Sequence, residues 1–171
     1  MSLGDLEYFR DTVGEYDATV TKGGGNVYKD IRDAKIKDIS HRDFPDVCQE
    51  LLEILKIHRP KLITEKHEIR EFNYLCYGVG GHFKKHRDYI NSNNNNKYSN
   101  RVFSTITLIN KSSNLEGGDL LIWDDNEEAQ ASIIELEVGE TVIFHSMRFH
   151  QVTPIVRGTR EVLVSWIYLK K

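Results

Sequence analysis

Cysteine is scarce in this chain of 171 residues: only Cys48 and Cys76 occur, and neither belongs to a CxxC pair or a Cys/His cluster. That spacing offers no thiolate metal site and no disulfide framework, so both read as buried reduced thiols of a cytoplasmic protein. Long apolar runs are also missing. No segment approaches the length of a membrane span, and the charged start MSLGDLEYFR does not read as a secretory signal. Nor does one sign of charge dominate. Lys and Arg number 23 against 26 Asp and Glu, leaving a formal −3, without the basic excess of a dedicated nucleic-acid binder. What remains, 39% hydrophobic and 29% charged residues, is the composition of an ordinary globular domain. We read residues 1–171 as one domain, a supporting region over about 1–65 and a core over about 66–171.

In the first third, 18–21 and 27–31 read as strands around the Lys22-Gly23-Gly24-Gly25-Asn26 turn. A helix follows, with Asp43 as cap, Pro45 in the first turn and Val47, Leu51, Ile54, Leu55 and His58 as its stripe. Arg59-Pro60 ends it, because the residue before proline is driven out of helical conformation. Beyond residue 66 the pattern is strands: 68–77, 83–90, 101–110, 119–123, 132–136, 141–145, 150–155 and 159–169, separated by glycine-bearing turns. Many short strands imply a sandwich or barrel, here mainly β with helical support on the N-terminal side. The asparagine-rich stretch 91–100 reads as a long loop.

One cluster carries chemistry. His86 and Asp88 stand two apart in a predicted strand, so both side chains meet one face while Arg87 points away. His150, on a later strand, is the natural third donor. Two imidazoles and one carboxylate on one side of an ion leave its other positions open, the facial set of non-haem Fe(II) oxygenases. Arg160 follows on the next strand, and a guanidinium in a dry pocket grips a carboxylate through two parallel hydrogen bonds. The far carboxylate of 2-oxoglutarate suits it.

Tyr77, Gly80, Phe83, His86 and Asp88 together resemble the Y-x-x-G-x-x-F/Y-x-x-H-x-D signature of prolyl 4-hydroxylase-like 2-oxoglutarate/Fe(II) dioxygenases. Glu116-Gly117-Gly118-Asp119-Leu120 resembles that family's E-G-G-D/E-L turn. The run from His150 to Arg160 resembles its H-x-V-x-P-V-x-x-G-x-R/K ending. The resemblance implies a double-stranded β-helix, a cupin-like jelly roll. It implies iron on His86, Asp88 and His150, with 2-oxoglutarate anchored by Arg160, O2 as oxidant and ascorbate as reductant. It implies further that Tyr77 contributes a hydroxyl to 2-oxoglutarate and Leu120 an apolar wall. Where many relatives carry a co-substrate-binding tyrosine this chain has Leu108, so that bond is either absent here or supplied by Thr105 or Thr107. Position 166 is tryptophan where the nucleic-acid demethylase branch has a second arginine, which speaks against a nucleic-acid substrate.

The leading expectation is hydroxylation of a peptidyl residue, proline first. The alternatives are the same chemistry on a free amino acid or other small molecule, or a jelly-roll binding module without turnover. His145 reads as a structural histidine near the distal ligand. The basic run Lys84, Lys85 and Arg87 reads as a solvated strand face.

Overall fold

The computed structural model describes residues 15–18, 27–37, 42, 44–89, 101–124 and 129–170. In chain order the elements are β1 (Glu15–Asp17), β2 (Arg32–Asp33), β3 (Lys35–Lys37), α1 (Pro45–His58), β4 (His67–Tyr77), β5 (His82–His86), β6 (Arg101–Lys111), β7 (Glu116–Gly117) and β8 (Leu120–Ile122). They continue with β9 (Ser132–Ile134), β10 (Thr141–His145), β11 (His150–Val152), β12 (Ile155–Arg157) and β13 (Arg160–Leu169). A major sheet runs β1-β3-β4-β13-β6-β10, a minor sheet β2-β5-β11-β8-β9, and β12 pairs with β7.

Period-two alternation decides which side chains fall between the sheets. From the major sheet come Leu75 and Tyr77, Ile106 and Leu108, and Val162, Val164, Trp166 and Tyr168. They meet Leu120, Ile122 and Val152 of the minor sheet. Two facing antiparallel sheets around one core form the expected jelly roll. The opposite face of the major sheet is apolar as well. Phe72, Tyr74, Ile109 and Leu163 pack against Phe44, Val47 and Cys48, while Ile69 and Ile167 pack against Leu51, Leu52 and Leu55 of α1. Strand β13, central between β4 and β6, is therefore buried on both faces and reads as a continuous run, Val162-Leu163-Val164-Ser165-Trp166-Ile167-Tyr168.

Several boundaries differ from the sequence expectation. Residues 29–31 form a turn, Ile31 N–H donating to Tyr28 O at 2.9 Å, and the strand begins at Arg32. The first strand is 15–17, so of the expected 18–21 segment Ala18 lies just past it and the rest falls outside the described residues. Asp43 and the loops 22–26 and 91–100 also lie outside them. Phe44 occupies the N-cap position without a side-chain bond, and Pro45 stands in the first turn as expected. The helix turns Leu51, Leu52 and Leu55 inward, whereas Ile54, expected in the stripe, is half exposed. The expected strand 150–155 is broken after Val152, because Pro154 has no N–H for a ladder. The two cysteines form no disulfide, and burial pushes the Cys48 thiol up to about 11, which leaves it uncharged and unreactive.

The contact of α1 with the sheet generates a stability prediction. Leu51→Ala removes a side chain wedged against the major sheet and should cost about 2–4 kcal/mol. Ile57→Ala, at a residue 73% exposed, should cost no more than about 0.5 kcal/mol. Urea denaturation checks both, with the midpoint moving and the slope constant.

Candidate metal centre

His86 and His150 are cross-strand partners: β11 pairs with β5 at His150↔His86 and again at Val152↔Phe83. Three residue steps on β5 therefore oppose two on β11. This bulge spends the extra residue within Lys84-Lys85 and turns both Phe83 and His86 toward β11. The imidazole centroids of His86 and His150 lie 4.1 Å apart. Strand β5 ends at His86, so Asp88 does not share its strand as the alternation argument expected. The chain bends instead, and the backbone N–H groups of Asp88 and Tyr89 both donate to Ser146 O, at 3.1 and 3.0 Å. That bend brings the carboxylate to the same place by a different route. Oδ1 stands 3.5 Å from His86 Nε2, and Oδ2 stands 3.6 Å from His150 Nε2. One donor atom from each of the three residues lies within 4.8 Å of the others. His86, Asp88 and His150 would hold a divalent cation together, drawing in around it on binding.

Two further features suit a metal. Each imidazole directs Nδ1 at a backbone carbonyl, His86 to Lys84 O at 2.7 Å and His150 to Arg148 O at 3.2 Å. A carbonyl only accepts, so the proton sits on Nδ1 and the Nε2 lone pair of each ring faces Asp88. Charge is also as a cation requires. Burial alone would raise the Asp88 pKa, but His150, His86 and the Ser104 hydroxyl outweigh it and hold the carboxyl well below the usual carboxylate range. Burial, reinforced by His86, holds His150 down at about 4 against the opposing pull of Asp88. At neutral pH the pocket therefore presents one anion and a neutral His150. Phe83 stacks on His86 with centroids 3.5 Å apart, and Phe144 lies 4.8 Å from His150, giving the cluster apolar walls.

Arg160 opens β13 opposite Tyr77 of β4, on the face that turns Val162 and Leu108 inward. It is 5% exposed, and its Nη1 finds no hydrogen-bond partner among the described residues. A buried guanidinium nitrogen left unsatisfied costs free energy unless an acceptor arrives, and a carboxylate is the acceptor that fits. The space beside it is kept by glycine: a Cβ on Gly118, at φ +71°, would stand 2.9 Å from Ile155 Cγ1 and 3.7 Å from Arg160 Cδ. Tyr77 and Leu120 are both buried in the core between the sheets.

Of the two alternatives for the hydroxyl absent at Leu108, the geometry speaks against Thr105 and Thr107. They alternate with Ile106 and Leu108, so they lie on the outer face, where Thr105 bonds Ser165 and Thr107 bonds Thr141 at 2.7 Å. Neither replaces the missing tyrosine hydroxyl. The same alternation points to a residue that sequence reasoning missed. Ser104, fully buried, faces inward and donates to Asp88 Oδ2 at 2.7 Å. A buried network lies beside it: Arg101 pairs with Glu71 at 2.7 Å, stacks on Trp166 at 3.9 Å and reaches Asp88 O at 3.4 Å. His145 is exposed and accepts the Met147 backbone N–H at 3.3 Å, a structural role. Lys85 and Arg87 lie over exposed-side aromatics, 4.4 Å from the Trp123 centroid and 4.0 Å from that of Phe149 respectively.

A pH prediction follows from His150. Its folded pKa lies below the ordinary 6.5, so the neutral form is the one the fold favours. Stability of the metal-free protein should be at its plateau above pH 6.5 and fall as the pH drops toward 4, by up to roughly 3 kcal/mol. His150→Asn should flatten that decline in urea denaturation series. A wild-type slope in the variant would count against the assignment.

Residues 72–168 match the sequence profile of the 2OG-Fe(II) oxygenase superfamily. A PKHD-type hydroxylase of Teredinibacter turnerae is 32% identical over 106 residues, which is 61% of this chain and 45% of that relative. The match thus spans less than half the length of that protein. Among solved structures, a Pseudomonas putida prolyl-4-hydroxylase superposes with a TM-score of 0.65 at 20% identity, covering 98% of this chain and 83% of its own. A Trichoplax adhaerens prolyl hydroxylase, solved with a hypoxia inducible factor peptide fragment, gives 0.67 at 17% identity, covering 95% and 74%. Identities this low speak for the jelly-roll fold alone, but the profile match covers more than half of the chain. The chain belongs to the 2OG-Fe(II) oxygenase superfamily, whose chemistry uses Fe(II), 2-oxoglutarate and O2.

Proposed function

We propose that this chain hydroxylates a peptidyl residue, with proline the first candidate, using Fe(II) held by His86, Asp88 and His150 and 2-oxoglutarate anchored by Arg160. The observation that carries the reading is the pairing of a three-donor cluster with a buried, unsatisfied guanidinium nitrogen on the core side of the same two sheets. A binding module without turnover has no use for both. When bound, iron and 2-oxoglutarate supply the oxidising power that converts O2 and a C–H bond into a hydroxyl. The chain's own residues bind and orient. Arg160 would grip the far carboxylate through its fork of N–H donors, Tyr77 opposite it would contribute its hydroxyl, and Leu120 would form an apolar wall. Phe83 and Phe144 would keep water from the cluster.

Support for a peptide comes from the Trichoplax neighbour, which was solved with one bound. We read the whole of 1–171 as one functional unit: β1 and β3 extend the major sheet, β2 extends the minor sheet and α1 covers the outer face. Two cysteines outside any disulfide support a cytoplasmic location. No helix of the described residues is long and apolar enough to cross a membrane.

Incubation with Fe(II), 2-oxoglutarate, ascorbate and proline-containing peptides should yield succinate and a peptide heavier by one oxygen. Free amino acids run in parallel would identify the small-molecule alternative. His86→Ala should abolish turnover. Arg160→Ala should weaken 2-oxoglutarate binding by roughly 10- to 100-fold, about 1.5–3 kcal/mol, while metal affinity stays unchanged. Wild-type co-substrate affinity in Arg160→Ala would remove the anchor from the scheme.

A further inference from the structure

Asp88 stands outside any strand ladder, so something other than sheet pairing has to fix its carboxylate. Two buried serines do so. Ser104, on the inner face of β6, places Oγ 2.7 Å from Asp88 Oδ2. Ser146, in the turn after β10, places its Oγ 3.0 Å from Ser104 Oγ, and its carbonyl holds the Asp88 and Tyr89 backbone N–H groups. Both serines are fully buried. Ser146 is itself tied down, its N–H donating to Val102 O at 3.0 Å.

The direction of these bonds follows from chemistry. An ionised carboxylate accepts only, so Ser104 spends its single proton on Asp88 Oδ2. The Ser104 oxygen then has only lone pairs to offer Ser146, and the Ser146 hydroxyl is the donor between them. The relay runs one way, from Ser146 through Ser104 to the carboxylate, and each link polarises the next.

Resting on the reading above that Asp88 is a metal ligand, we propose that Ser104 and Ser146 are positioning residues that hold Asp88 as a one-oxygen ligand. With Oδ2 held by Ser104, turning both oxygens onto an ion would strain or break that bond, so Oδ1 is the donor left freer to ligate. The consequence is functional. Three protein donors leave half of a six-coordinate ion open for a chelating co-substrate and O2, whereas a two-oxygen Asp88 would close one of those positions. The bend after β5 and the two buried hydroxyls beside the carboxylate serve this requirement.

Co(II) serves as the probe, because its visible spectrum reports ligand number as well as occupancy. Titration of wild type, Ser104→Ala, Ser104→Thr and Ser146→Ala should rank their affinities. Ser104→Ala should bind roughly 10- to 100-fold more weakly, with an altered spectrum. Ser104→Thr, which keeps the hydroxyl, should restore both. Ser146→Ala should show a smaller loss, since it removes only the outer donor. Thermal melts of the metal-free forms establish folding, and if Ser104→Ala does not fold, the Ser146→Ala titration decides alone. Wild-type affinity and spectrum in a folded Ser104→Ala, or in Ser146→Ala, would overturn the proposal. So would a folded Ser104→Thr as weak as Ser104→Ala. His150→Ala separates the two levels: if it abolishes Co(II) binding while the serine variants match wild type, only the positioning role fails. If His150→Ala itself binds like wild type, the metal reading fails and takes this one with it.

Discussion

A carboxylate as buried as Asp88 survives in its ionised form only where charge and hydrogen bonds offset the cost of leaving water. The Ser104 hydroxyl meets part of that demand, and a bound cation would meet the rest. Two imidazoles approach the carboxylate through Nε2, one from each of two paired strands. Their Nδ1 protons are occupied by the carbonyls of Lys84 and Arg148, which keeps the rings from turning. A serine hydroxyl takes one oxygen, and the turn after β10 takes the backbone. The result is one carboxylate facing two imidazole lone pairs, and a divalent cation is the partner that satisfies all three at once.

The fold supplies the rigidity. Strand β13 lies at the centre of the major sheet with side chains buried on both faces, so Arg160 at its start cannot shift without moving the core. Its inward neighbours pack against the minor sheet, which carries both histidines, and its outward ones against residues under α1. The helix therefore acts on the site at a distance, by pinning the sheet from which the guanidinium projects. Glycine marks the other contact: the turn of β7 crosses Pro154 so closely that a Cβ on Gly117 would stand 2.3 Å from the proline carbonyl.

Much of this was legible in the sequence, for reasons that differ by residue. His86, His150 and Arg160 announce themselves through ordered motifs, and the structure brings the two histidines together with Asp88. Asp88 was legible only in part: alternation along an unbroken strand would put it beside His86, but a bulge before His86 and a bend after it deliver the carboxylate. Residue type alone singles out Thr105 and Thr107, whereas alternation from Ile106 and Leu108 puts them on the outer face and Ser104 on the inner one. Other details lay beyond local pattern. Nothing in the helix periodicity distinguishes Leu52 from Ile54 as the buried neighbour of Leu51, because the choice depends on how the helix sits on the sheet.

One anaerobic titration tests the site most directly: Fe(II) added to the protein with 2-oxoglutarate, followed by visible absorption. A charge-transfer band should grow to saturation at one iron per chain, because iron on the three donors would then be chelated by the keto acid. Asp88→Ala should not develop it. A wild-type protein that takes up neither iron nor 2-oxoglutarate, or an Asp88→Ala variant with an undiminished band, would contradict the site described above.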